Sequence, residues 1–210
     1  MTDSTNGHQP EAPTPTSVRR MDGAEAAELA GLATVFEDLQ FVLRCCEHLV
    51  TALNAPVTGP VQVQTDTALV EALWTGALIG YVRCFSGQTK LLTDADLNDL
   101  ELEGDVQELH AALKKLRDAF ASRHVNPRES FTIGVAQGSD GRATGVAVTS
   151  TPTPPVDDAT VRLLGRIAYA LSALVDARMQ RVQNAVLGVA AAMTPDQLGR
   201  LPLVHLTPDA

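Results

Sequence analysis

Aromatic side chains are scarce in this chain. Phe, Tyr and Trp together make up 4% of 210 residues, while hydrophobic residues as a whole reach 45%. A core that size must be built from Ala, Leu and Val, which suits close-packed helices better than a β-sandwich. Positive charge is also short. Sixteen Lys and Arg stand against 25 Asp and Glu, a net charge of −9 that excludes a broad basic face for nucleic acid but leaves room for a local basic site. Three cysteines are an odd number in a long chain. They frame no disulfide scaffold and point to a reducing, cytoplasmic compartment. The first 20 residues have no apolar core of the signal-peptide kind, so no targeting segment is expected. The most apolar stretch, "ALVEALWTGALIGYV", is short and carries Glu71, which marks a buried helix rather than a membrane span.

Recognised catalytic and ligand motifs are missing too. There is no G-x-S-x-G, P-loop or dinucleotide fingerprint, and no internal repeat. "LRCCEH" puts Cys45 and His48 on one helix face, but no CxxC or HxxxH spacing supplies further zinc ligands, so buried thiols are expected. "DADLNDLELEGD" starts like a calcium loop at Asp94, Asp96 and Asn98. Its sixth position is Asp99 instead of glycine and its twelfth is Asp105 instead of glutamate, so it reads as an acidic solvated connection. No metal and no cofactor is expected.

What is present is helical periodicity. Residues 1–21, polar and Pro/Thr-rich, read as a disordered tail. Residues 22–193 read as a single helical domain, and residues 194–210 as a peripheral tail punctuated by proline. Within the domain, Leu32, Val35, Phe36, Leu39, Val42, Leu43 and Leu49 give a first long helix, about 23–53. A second helix, about 66–85, carries Leu69, Leu73, Ala77, Tyr81 and Cys84, with Asp66 able to cap it. A third, about 106–125, stops because Asn126 precedes Pro127. "ESFTIGVAQ" and "RATGVAVTS" alternate around "GSDG", a hairpin at about 129–150. Asp157 or Asp158 then caps a last long helix, about 159–193. The expected fold is mainly α: an antiparallel bundle of about four long helices with one β-hairpin inserted before the last long helix.

The third helix raises the functional question. At about 100° per residue, seven residues fall roughly 20° short of two turns, so His110, Arg117 and His124 share one narrow face. Lys114 lies about 40° to one side of His110. Leu109, Leu113, Leu116 and Phe120 form the apolar stripe beside this polar line. A histidine can move a proton near neutral pH, and an arginine fork can hold phosphate oxygens. Those are the two functions that metal-independent RNA cleavage needs, and a two-fold dimer would supply a second histidine. Arg83 and Lys90 of "YVRCFSGQTK" could extend an anion site beside Arg117, although cations at a helix C-terminus are common for the dipole alone. A cavity between the second and third helices, suited to a small molecule, is a weaker reading.

"LRDAFASRH" resembles the Arg-polar-x(3–5)-His motif of the HEPN superfamily, and the wider order resembles uncharacterised bacterial HEPN-like proteins. In them a "YVRCFSG"-like helix end precedes an "ELHAALKKLRD"-like helix, then an "HVNPRE"-like exit into a hairpin. The resemblance covers about residues 66–150. It implies a helical bundle, commonly a dimeric ribonuclease of toxin–antitoxin or phage-defence systems. Arg117 and His124 would then be the catalytic pair, Asp118 the polar neighbour, and Arg83, Lys114 and His110 the flanking substrate contacts. The implied partners are a second copy of the chain, RNA or an antitoxin-like protein, with no membrane. The spacing sits at the long end of the motif's range, and Ala119 and Ala121 occupy positions where bulkier or basic residues are expected. The superfamily also contains inactive members that only bind RNA or proteins, so the alternative is a non-catalytic helical interaction module.

Overall fold

A periodicity of three and four residues fixes the longest buried seam. Leu32, Val35, Leu39, Val42, Cys46 and Leu49 fall on one side of helix α1, Ala24–Leu53, and all are buried. The computed structural model describes residues 17–54, 67–87, 90–122, 126–153 and 156–204. After α1 come α2 (Thr67–Cys84), a 3-10 turn (Asp94–Leu97), α3 (Val106–Ala121), strands β1 (Glu129–Gln137) and β2 (Ala143–Pro152), α4 (Asp158–Ala191) and a short α5 (Pro195–Arg200). The protein is mainly helical, with a two-stranded antiparallel sheet between α3 and α4.

Helix α1 packs along both α2 and α4, and α3 touches α2 and α4 more lightly. Asn54 donates to Asp158 at one end of the α1–α4 contact, and Gln40 reaches Ser172 further along, so the two helices run in opposite directions. Gly76 and Gly80 let α2 approach α1 closely. A Cβ at Gly80 would lie 3.1 Å from the Val42 side chain and 3.3 Å from Phe41. Tyr81, Leu78 and Ala77 fill the middle of the core, joined by Leu164, Ile167 and Leu171 of α4.

The helix starts follow their caps. Asp105 accepts from the Glu108 N–H at 2.8 Å, and Asp157, rather than Asp158, accepts from Thr160 N–H at 2.7 Å. Thr194 and Gln197 form a reciprocal cap on α5 behind Pro195. Asp66, the expected cap of α2, lies outside the described residues. Residues 18–20 run antiparallel to residues 202–204: Arg20 N–H donates to Pro202 O at 2.8 Å, and Val204 N–H to Val18 O at 2.9 Å.

Two expectations are corrected, and the hairpin takes the projecting position. Helix α3 ends at Ala121, not near 125, because Ser122 is already extended at ψ 132°. Leu69 is 49% exposed, since Val70 and Trp74 take the core side of that turn. The hairpin stands nearly bare of helical cover. Every β2 residue is exposed, and β1 is only intermittently half-buried. At its base Arg128 pairs with Glu71 of α2.

Candidate functional site

The polar face of α3 divides into an inside and an outside. Val106, His110 and Leu113 are its buried residues, so His110 belongs to the core face rather than to a solvated border. Leu109, Leu116 and Phe120 are only partly buried beside it. The reason is a recess made for an imidazole. Phe85 and Tyr81 of the α2 end pack edgewise on the ring, with centroids 4.6 and 5.7 Å away. These three rings pack together between the end of α2 and α3.

Both ring nitrogens of His110 are engaged. Nδ1 lies 2.9 Å from Tyr81 Oη, and Nε2 lies 3.2 Å from Asp94 Oδ1 on the 3-10 turn. Lys114, one turn along α3, donates to both Asp94 oxygens at 3.2 and 3.1 Å. Burial pushes the Tyr81 hydroxyl well above its ordinary pKa, with Cys84 and Asp94 adding to the rise, so it stays protonated and donates to Nδ1. Nε2–H then donates to Asp94, which assigns the neutral imidazole and its tautomer from the network. Burial holds the His110 pKa below its ordinary value, against the pull of Asp94. The Lys114 hydrogen bond leads the lowering of the Asp94 carboxyl. Tyr81 is 0% and His110 3% exposed, so no substrate atom reaches either. The chain Tyr81–His110–Asp94–Lys114 is a strut between α2, the 3-10 turn and α3. Among the described residues, no buried side-chain nitrogen or oxygen lacks a partner.

Arg117 and Asp118 lie further along α3. Arg117 Nε donates to Asp118 Oδ1 at 2.7 Å, with the two side chains 38% and 71% exposed. Arg83 turns the other way and meets Asp38 of α1 at 3.4 Å. Arg83 and Arg117 are thus held by different carboxylates, Asp38 and Asp118. His124 lies outside the described residues, and because α3 ends at Ala121, helical phase no longer ties it to Arg117. The structure therefore links His110 and Lys114 through Asp94, links Arg117 with Asp118, and leaves Arg83 on the α1–α2 seam.

Two partners were hidden in the acidic connection. Asp94 reads as solvated loop, yet it closes the histidine network. Asp96 is buried and paired with Arg178 of α4, which also donates to Leu91 O at 2.6 Å. Burial alone would raise the Asp96 carboxyl, but hydrogen bonds from Arg178 and from Thr93 outweigh it and hold the pKa below the usual range. Thr93 donates its N–H at 2.7 Å and its hydroxyl at 3.0 Å to the other oxygen. The only local signal was the spacing of Thr93 and Asp96. Nothing in sequence points to Arg178, 82 residues away.

Cys45, Cys46 and Cys84 are buried free thiols, while His48 points outward, so the Cys45–His48 pair does not assemble. Burial pushes Cys46 and Cys84 up to about 12. Among the described residues, no group of three His, Cys, Asp or Glu side chains is placed to hold a metal ion. No helix among the described residues is long and apolar enough to cross a membrane. A cleft of about 440 Å³ opens between the start of α1 and the far part of α4, where Glu25 and Glu28 face Arg178, Arg181 and Lys90. Its charges are mixed, and Arg178 is already committed to Asp96.

Comparison of the chain with protein-family models, with curated proteins and with solved structures returns no match.

Proposed function

We propose that this chain acts by binding: a helical interaction module, its helices arranged as an antiparallel bundle of HEPN-like type, that presents a β-hairpin to a partner. The observation that carries the reading is the bare apolar face of that hairpin. Phe131, Ile133, Val135, Val146 and Val148 are 56–73% exposed, and register puts all five on one side. Contiguous apolar surface of that kind marks interaction sites. The polar face of α3 supports the same reading. Its buried histidine is a structural strut, and Lys114 and Arg117 are each already paired with a carboxylate.

A second reading keeps the metal-independent ribonuclease, with Arg117, Asp118 and His124 as catalytic residues and RNA as substrate. One observation favours it: the Arg117 side chain is 38% exposed and, among the described residues, pairs with the adjacent Asp118, a surface pair that phosphate would displace readily. Incubating purified protein with bulk RNA in EDTA separates the two. The interaction reading expects no cleavage above that of the Arg117→Ala and His124→Ala variants. Cleavage that yields 2′,3′-cyclic phosphate ends, and that either substitution abolishes, would replace it with the ribonuclease reading.

A further inference from the structure

We infer that the apolar face of the hairpin is the contact surface for a second copy of this chain, the two hairpins packing face to face with the tip of each over the base of the other. The inference rests on the interaction reading above and names its partner.

The pairing register shows how the face is built. Phe131 lies opposite Ser150, Ile133 opposite Val148, and Val135 opposite Val146. Paired residues point to the same side of a sheet, so one side carries Phe, Ile and three Val with no charge among them. The other side carries Ser130, Thr132, Gly134 and Ala136 opposite Thr151, Thr149, Ala147 and Gly145, small residues of which half bear a hydroxyl. A two-stranded sheet with nothing packed on its apolar side is marginal in water. This ribbon therefore calls for cover, and among the described residues none is supplied.

Area and charge favour the second copy as that cover. The five exposures leave roughly 600 Å² of apolar surface per hairpin, the upper end of what a monomer shows. Mutual packing removes about twice that, roughly 1,200 Å², which is where specific interfaces begin. A flat face of β-branched residues is complementary to itself, since two sheets pack with their inner side chains interdigitated. A two-fold axis makes such a contact isologous and closed. The charges set its direction. Glu129 stands at the base of the same face, where Ser150 Oγ donates to it at 2.8 Å. Arg142 stands at the tip, 88% exposed and only 3.9 Å from Asp140. Tip-over-base packing brings each Arg142 to the partner's end that carries Glu129, whereas tip-over-tip packing sets Arg142 against Arg142.

Sedimentation velocity on the full chain at micromolar concentration tests this. Wild type is expected to be a dimer. Ile133→Asp and Val148→Asp should each give a monomer, with unchanged helical circular dichroism because both side chains face solvent in the protomer. Arg142→Glu should weaken the dimer several-fold, and the double variant Arg142→Glu with Glu129→Arg should restore it. A wild-type monomer overturns the inference, and so does a dimer that survives Ile133→Asp. A charge swap that fails to restore the dimer overturns the tip-over-base arrangement. None of these outcomes depends on RNA cleavage, so failure of the second-copy inference and failure of the interaction reading are read by separate assays.

Discussion

Removing one oxygen atom tests whether His110 is a strut or a working group. Tyr81→Phe keeps the ring that packs against Phe85 at 5.2 Å and deletes only the hydroxyl that donates to His110 Nδ1 at 2.9 Å. Two costs follow. The hydrogen bond itself contributes about 1 kcal/mol net, and a buried acceptor left without a donor costs about 1–3 kcal/mol more. Water cannot replace the donor, because Tyr81 is 0% and His110 3% exposed. The expected loss is about 2–4 kcal/mol, which lowers the melting temperature of a chain this long by about 4–16 °C. The assay is urea unfolding followed by circular dichroism at pH 8, where His110 is neutral. A double-mutant cycle isolates the pair. Once His110→Leu has removed the orphaned acceptor, Tyr81→Phe should cost little further, since replacing both partners by apolar groups is far cheaper than replacing one. If Tyr81→Phe changes stability by less than about 0.5 kcal/mol, or the two substitutions add, the network does not brace the fold and the solvated-face reading of His110 returns.

Acid should weaken the protein in two stages. The His110 pKa is lower folded than unfolded, so its contribution is full above the unfolded value of about 6.5 and is lost as pH falls through the folded value. Asp96 and Asp94 are likewise lowered, and their contribution is lost further down, below about 4. Unfolding free energies between pH 8 and 3 should show both steps, and His110→Leu should erase the upper one. Arg178→Ala should cost about 3 kcal/mol, near the low end for a buried pair because Arg178 is 26% exposed, and Asp96→Asn in that background should regain part of it. Additive single effects in a denaturation cycle would refute the coupling. Arg117→Ala should stay within about 0.5 kcal/mol of wild type in the same unfolding assay, as half-exposed surface pairs do, and a larger loss would make Arg117 a structural residue.

The helices and the hairpin were legible because each has a periodic signature that needs no partner to be read. The α1 seam, the "GSDG" turn and the Asp157 cap all appear in the structure within a residue or two of where spacing puts them. The candidate site was less legible, since helical phase reports which residues share a face and not which face is buried. His110, Arg117 and Lys114 stand on neighbouring lines of α3, yet a recess formed by Tyr81, Phe85 and Asp94 draws only His110 inward. Three chain segments meet there. The α3 end was misplaced for a similar reason. Pro127 sets the last possible residue of the helix and not the actual one, and Ser122 turns extended five residues earlier.

The three cysteines have a use of their own. Cys45 and Cys46 lie along α1 and Cys84 at the end of α2, where its Sγ donates to Gly80 O at 3.3 Å. With pKa values near 12, Cys46 and Cys84 are thiolate in only about one molecule in ten thousand at pH 8, and burial bars even that fraction from a reagent. Alkylation of the folded chain must therefore wait until α1 parts from α2 at Cys45 and Cys84, or from Gly165 of α4 at Cys46. The labelling rate of each thiol becomes a clock for local opening at its own position, already installed in the wild-type sequence and readable by mass without any engineered probe.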